Sequence, residues 1–275
     1  MLLTLLGTGC PKADYKRFGP ANLISSSKTN ILVDCGSGVT QRLNQLNICT
    51  SKINALFLTH LHSDHVVDLY QLIISSWHSY RTTPWKIYGP KGTKKFVTKI
   101  MEAWRDERKQ RIIYEARSST QAFNIKVKEF ASVGNFQIKD IKVKYFEVDH
   151  KPVKYAYGFN FFHNNKKLTV SGDTRPCENI MKYALFSDVL LHEVFIDGEI
   201  MKTNKMRTAK TLHNVKAYHT PSSLVGKIAK ITRCKKLVLT HLVPTQFDEK
   251  KLIKTVKADF GKNPIIGRDL LRIKI

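Results

Sequence analysis

Short apolar runs alternate along this chain with segments whose apolar residues recur every three or four positions. LLTLLG, NILVDCG, INALFLT, WKIYGP, IKVKYFEV, GFNFF, KLTVSGD, DVLLHEV and KKLVLTHL predict strands. QLIISSWHSY, TKKFVTKIMEAWRDER, SSLVGKIAKIT and KKLIKTVKADF carry the helical spacing. Strands that cluster early and late, with helices between them, predict two sheets covered by helices. The polar NNKK between GFNFF and LTVSG is a hairpin signal. No repeat, low-complexity tract or Pro/Gly/Ser linker interrupts the pattern, so residues 1–275 are expected to form one domain.

With 42% hydrophobic residues, the chain can bury a sizeable core. The five cysteines (Cys10, Cys35, Cys49, Cys177, Cys234) form no CxxC pair, which argues against a disulfide framework or a structural zinc knot. The apolar start MLLTLLGTG lacks a basic flank and is too short for a secretory signal. No segment approaches the roughly 18 apolar residues of a membrane span. A soluble, cytoplasmic protein with no membrane partner is expected. The net charge of +24 creates a field that draws anions. Most of the basic residues are lysines spread along the whole length, so the charge fits either a polyanionic partner or a general lysine-rich background.

The densest chemistry lies in LFLTHLHSDHVVDL. Four ligand-type side chains, His60, His62, Asp64 and His65, are packed into six residues where a strand gives way to a helix-like segment. Neutral imidazoles with a carboxylate suit zinc and other borderline divalent metals. Further candidates are more dispersed. His150 follows the strand YFEVD, and a lone histidine there is more often structural. Asp173 sits in a Gly-Asp-Thr turn, where aspartate is common for turn chemistry alone. His241 closes the run KLVLT. Taken together, four strand ends supply five histidines and two aspartates, the inventory that two metal ions need once a shared water is added.

THLHSDH resembles the signature of the metallo-β-lactamase superfamily, and the resemblance runs along nearly the whole chain. LLTLLGTG is similar to its opening strand and glycine turn, and ILVDCGSG to its first motif. The resemblance implies an αββα sandwich of two mixed β-sheets flanked by helices. It implies that His60, His62 and His150 hold one metal, that Asp64, His65 and His241 hold the other, and that Asp173 bridges them. Asp34 would brace the metal loop. The cofactors would be two divalent ions, zinc first, with manganese or iron accepted by the same ligands. Such a pair lowers the pKa of a bridging water and so supplies a hydroxide nucleophile at neutral pH.

Within the superfamily, the chain resembles the AtsA-type arylsulfatase and ribonuclease Z branches. Both carry a His-Glu pair, here His192-Glu193, and an extra histidine, here His219 in YHTPSSLVGKIA. By resemblance, His219 meets the leaving group or anionic oxygens of the substrate and Glu193 orients it. Together with Asp64 these are the expected catalytic residues. Read from the sequence alone, His219 is equally a loop residue before the SSLVGKIA helix, and His192 reads as structural. His78, His163 and His213 are expected at the surface or in packing.

The phrases R-x-G-P-x-N-L (residues 17–23), HTP and LTHLVP are more similar to the arylsulfatase group. Only about 23 residues separate His150 from Asp173, where bacterial ribonuclease Z usually inserts a long arm. The expected activity is therefore hydrolysis of an anionic sulfate ester or phosphodiester, with ribonuclease Z-like processing of transfer-RNA 3′ ends as the alternative and a non-catalytic metal binder as the minor one. The expected partner is an anionic small-molecule ester or RNA. Homodimer formation is implied only by resemblance.

Overall fold

A computed structural model describes residues 1–200 and 208–275. One sheet contains β1 (Leu2–Gly7), β2 (Ala21–Ser25), β3 (Asn30–Val33), β4 (Ala55–Phe57), β5 (Trp85–Gly89), β6 (Ile125–Glu129) and β14 (Arg272–Lys274). Its seven strands run in the order β14-β1-β2-β3-β4-β5-β6. The second holds β7 (Val133–Ile138), β8 (Ile141–Glu147), β9 (Tyr157–His163), β10 (Lys166–Val170), β11 (Val189–Phe195), β12 (Lys236–Val243) and β13 (Ile265–Ile266). Its seven strands run in the order β13-β12-β11-β10-β9-β8-β7. Both sheets are mixed: β3 to β6 and β10 to β13 pair in parallel, and the other neighbours are antiparallel.

The two-residue period of a strand sorts side chains between layers. Ile24, Ile31, Val33, Ala55 and Phe57 point inward and meet Phe159, Phe161, Val170, Leu191 and Val238 of the facing sheet. Their neighbours Leu23, Leu32 and Leu56 point outward onto α1 (Val39–Gln45), α2 (Leu69–His78) and α3 (Thr93–Ala103). The second sheet turns Leu190, Leu237 and Leu239 onto α5 (Glu178–Tyr183), α7 (Ser222–Ile231) and α8 (Glu249–Phe260). The result is the αββα sandwich, with both sheets buried on two faces.

Two helices complete the described set, α4 (Arg105–Glu115) and α6 (Ala209–Ala217). TKKFVTKIMEAWRDER, expected as one helix, breaks at Trp104. That residue leaves helical geometry to stack on Tyr70, with ring centroids 4.9 Å apart, and Arg108 donates to the Met101 carbonyl across the break. The NNKK hairpin forms as expected. Asn164 and Asn165 both adopt positive φ, the geometry of the tight turns that match strand twist. Among the described residues no helix is long and apolar enough to cross a membrane.

Phe57 anchors the inter-sheet layer, stacked on Tyr88 at 4.6 Å and edge-on to Phe159 at 5.6 Å. Phe57→Ala is expected to cost about 3–5 kcal/mol, the range for a buried aromatic truncation, read as a lower urea midpoint. A shift corresponding to less than about 1 kcal/mol would mean that the layer repacks around the cavity.

Candidate metal centre

The chemistry-bearing side chains gather where the parallel strands of both sheets deliver their C-terminal ends. Asp34 follows β3 and His60 follows the adjacent β4. Asp173 follows β10, reached through Gly172 at φ +61; a Cβ there would come within 2.5 Å of the Tyr157 carbonyl, so glycine is required. His150 follows β8, and Glu193 lies near the end of β11. His241 was expected at the end of its strand, but β12 continues through it to Val243. The β11–β12 register slips between Glu193 and Val194, so His241 is the extra residue of a bulge, at φ 43, and its ring swings toward the other ligands.

Asp173 is central and nearly fully buried. Its Oδ2 lies 3.3 Å from Nε2 of His65 and of His241, and 3.9 Å from Nε2 of His60 and of His150. Asp64 Oδ2 lies 3.3 Å from His241 Nε2 and 3.7 Å from His65 Nε2. His62 Nδ1 is 3.4 Å from His150 Nε2, and His62 is the most exposed of the seven. Donor atoms of His60, His62 and His150 come within 4.8 Å of one another, as do those of Asp64, His65 and His241. All seven predicted positions converge.

A surrounding layer holds these rings. Asp34 Oδ2 lies 2.8 Å from His65 Nδ1, and its Oδ1 accepts the Thr59 backbone N–H. His150 Nδ1 donates to the Tyr218 carbonyl at 2.8 Å. Glu193 Oε1 accepts the backbone N–H groups of Thr174 and Thr220, leaving Oε2 3.3 Å from His219 Nδ1. His192, on the same strand, turns its Nδ1 to the Glu193 carbonyl and lies outside the cluster, consistent with a structural role. The sequence reading missed Thr59, whose hydroxyl reaches Asp34 and lies 3.0 Å from His60 Nδ1. Its place directly before His60 was the available signal. The Tyr218, Thr174 and Thr220 contacts use backbone groups and leave no trace in side-chain identity.

The electrostatics shift the imidazoles in opposite directions. Burial drives His60 well below the ordinary histidine range, and the neighbouring His65 adds to this. Burial also lowers His62 and His150. Burial opposes protonation of His65 too, but Asp173 and Asp34 outweigh it and raise that ring well above the usual value. For Asp173 the cost of burying its charge is overcome by His241, His65 and His60, which hold it well below the carboxylate range. His219 is raised because Glu193 outweighs its burial.

Whether these residues fit a metal pair can be judged from their spare donor atoms. Nε2 of His60 and of His65 are buried and make no hydrogen bond, although both face Asp173. Unpaired buried polar atoms are costly. Lone pairs aimed at one carboxylate, with five imidazoles and two carboxylates in reach, suit divalent cations. The donor set fits.

Two seven-stranded sheets flanked by helices, with this His/Asp cluster at their edge, define a metal-dependent hydrolase of the metallo-β-lactamase superfamily. The family model described as anti-Pycsar protein Apyc1 matches residues 1–218. A ribonuclease Z from Mycolicibacterium gilvum (strain PYR-GCK) is 31% identical over 280 residues, covering 99% of this chain and 96% of that one. The fold is similar to the metallo-β-lactamase fold protein YhfI from Bacillus subtilis, with a TM-score of 0.78 at 20% identity and coverage of 99% and 98% of the two chains. It is also similar to human tRNase Z, short form, with a TM-score of 0.73 at 23% identity and coverage of 100% and 99%. This chain belongs to the anti-Pycsar protein Apyc1 family, in the ribonuclease Z-like branch of the superfamily. The comparisons favour the ribonuclease Z-like alternative over the arylsulfatase-like reading.

Proposed function

We propose that this protein hydrolyses a nucleotide phosphodiester at a dinuclear divalent-metal centre, zinc being the expected ion, and that the substrate is small, a cyclic mononucleotide being the type. One observation carries the size. At Asp64 the cluster borders a cavity of about 780 Å³ walled by residues 10–15 and 17–19, within the range of small-molecule sites. A second reading, ribonuclease Z-like cleavage of transfer-RNA 3′ ends, draws support from the Mycolicibacterium relative and from the net charge of +24. The short β9–β10 hairpin does not weigh against it, because that relative aligns almost end to end with this chain.

His60, His62 and His150 would hold one ion, Asp64, His65 and His241 the other, and Asp173 would serve both. Bound there, the pair supplies an activated water at neutral pH and offsets charge on the phosphoryl oxygens. The chain's own residues do the rest. Asp34 fixes the ring of His65 through Nδ1, leaving Nε2 turned to the centre. Glu193, clamped by two backbone N–H groups, orients His219 and favours its protonated form. His219 then has a proton for the departing alkoxide, which is a poor leaving group when it is a ribose oxygen.

The test is a substrate panel on metal-loaded protein: a cyclic nucleotide, bis(4-nitrophenyl) phosphate, an aryl sulfate and a transfer-RNA precursor. Turnover of the two small phosphodiesters, abolished by chelation and restored by zinc, is expected. Cleavage of the RNA at its 3′ end without turnover of the small esters would replace this reading by the second, and turnover of the sulfate alone would overturn both.

A further inference from the structure

The wall of the cavity is a loop with both feet on one carboxylate, and that carboxylate belongs to the far end of the chain. Asp269 Oδ1 accepts the Thr8 backbone N–H at 3.0 Å and the Thr8 hydroxyl at 2.8 Å. Its Oδ2 accepts the Phe18 backbone N–H at 2.8 Å and Arg42 Nη2 at 2.9 Å. The side chain is only 4% exposed and that of Arg42 11%, so this ion pair is poorly screened. The Arg42 guanidinium also lies 3.9 Å from the centroid of the Phe18 ring, and the Gly9 N–H donates to the Phe18 carbonyl across the neck of the loop. Residues 10–15 and 17–19, including the exposed Tyr15, face the cavity beside Asp64, and residues 10–12 also line a smaller cavity beside His219. The position lies beyond residues 1–218, the part that the family model matches.

We infer that Asp269 is a positioning residue for substrate binding: it pins Thr8 and Phe18, holding the intervening loop as a preformed wall of the phosphodiester site. The inference rests on the phosphodiesterase reading above. Four donors converge on two oxygens, a demand that only an ionised carboxylate meets. Asparagine in either flip sets an NH₂ against donors from Thr8, or from Phe18 and Arg42, which releases one foot of the loop. Ordering the loop then has to occur on binding, which weakens the complex without altering the metal ligands.

Asp269→Asn tests this, with Thr8→Val as a milder variant that keeps the backbone N–H. Metal content, kcat and KM on bis(4-nitrophenyl) phosphate, and the rate of tryptic cleavage after Lys12 and Lys16 are measured. For Asp269→Asn the expectation is unchanged metal content, kcat within about threefold, KM raised about tenfold and faster cleavage, the pattern of lost binding rather than lost chemistry. Thr8→Val should move KM and cleavage the same way by about threefold. Parent-like KM and cleavage in both variants would overturn the inference. So would a fall in kcat and metal content at constant KM, since Thr8 also accepts the Leu242 N–H beside His241. If Asp269→Asn does not fold, Thr8→Val decides by comparison with Arg17→Met, because the Thr8 hydroxyl also accepts from Arg17 Nη1 at 2.8 Å; an effect no larger than that of Arg17→Met would overturn the inference. If the parent turns over no phosphodiester, the functional reading fails, and tryptic cleavage still decides whether Asp269 holds the loop.

Discussion

Asp173→Asn is expected to lower phosphodiester turnover by on the order of 10³-fold or more and to leave the protein with less than its full pair of ions. The substitution is nearly isosteric, so the packing around this buried position is kept while its charge is removed. Among the described residues, Asp173 is the carboxylate whose oxygen lies between 3.3 and 3.9 Å from imidazole nitrogens of both proposed ligand sets, His60 and His150 on one side, His65 and His241 on the other. Losing that charge removes the shared anion from both sets at once, whereas Asp64→Ala would weaken the His65–His241 set first. Metal analysis after dialysis against trace zinc, together with steady-state rates, checks the prediction. Full metal occupancy and parent-like kcat in Asp173→Asn would remove this residue from the centre.

His219→Ala is expected to keep both ions and to lose about 10²–10⁴-fold in kcat on substrates with an alkoxide leaving group, the usual contribution of general acid catalysis. On bis(4-nitrophenyl) phosphate, whose leaving group departs without a proton, the loss should be small. The geometry supports this split. His219 faces Glu193 through Nδ1, and one of its ring nitrogens comes within 4.8 Å of donor atoms of His150 and Asp173. Glu193→Gln should show the same dependence on leaving group with a smaller loss, because the amide still accepts hydrogen bonds through its oxygen but no longer favours the imidazolium. Equal losses on both substrates would indicate instead that His219 is a metal ligand.

Much of this was legible from local pattern. Two sheets covered by helices follow from strand and helix periods, which report which faces are buried, and the resemblance implied the αββα order. His60, His62, Asp64 and His65 stand out because a tight turn places them close together before any tertiary contact forms. Other features were not legible. The break at Trp104 depends on Tyr70, more than thirty positions away. The ring of His241 is aimed by a bulge that exists only through pairing with β11. Asp269 carried no motif, and its role appears only where Thr8, Phe18 and Arg42 meet it.

The amino-acid sequence alone showed nine of the fourteen described strands and the dense His60–His65 cluster, because side-chain type and short-range spacing are local properties, while the αββα class and the full set of seven ligand candidates came with the resemblance to the superfamily's motifs. Tertiary structure alone decided that Asp173 stands between the two ligand sets, that Glu193 rather than His192 faces His219, and that Asp269 of the C-terminal segment meets Thr8 and Phe18. Those outcomes depend on which strand lies beside which and in what register. Burial converts such neighbours into strong couplings, since a charge or donor removed from water must find its partner across the fold.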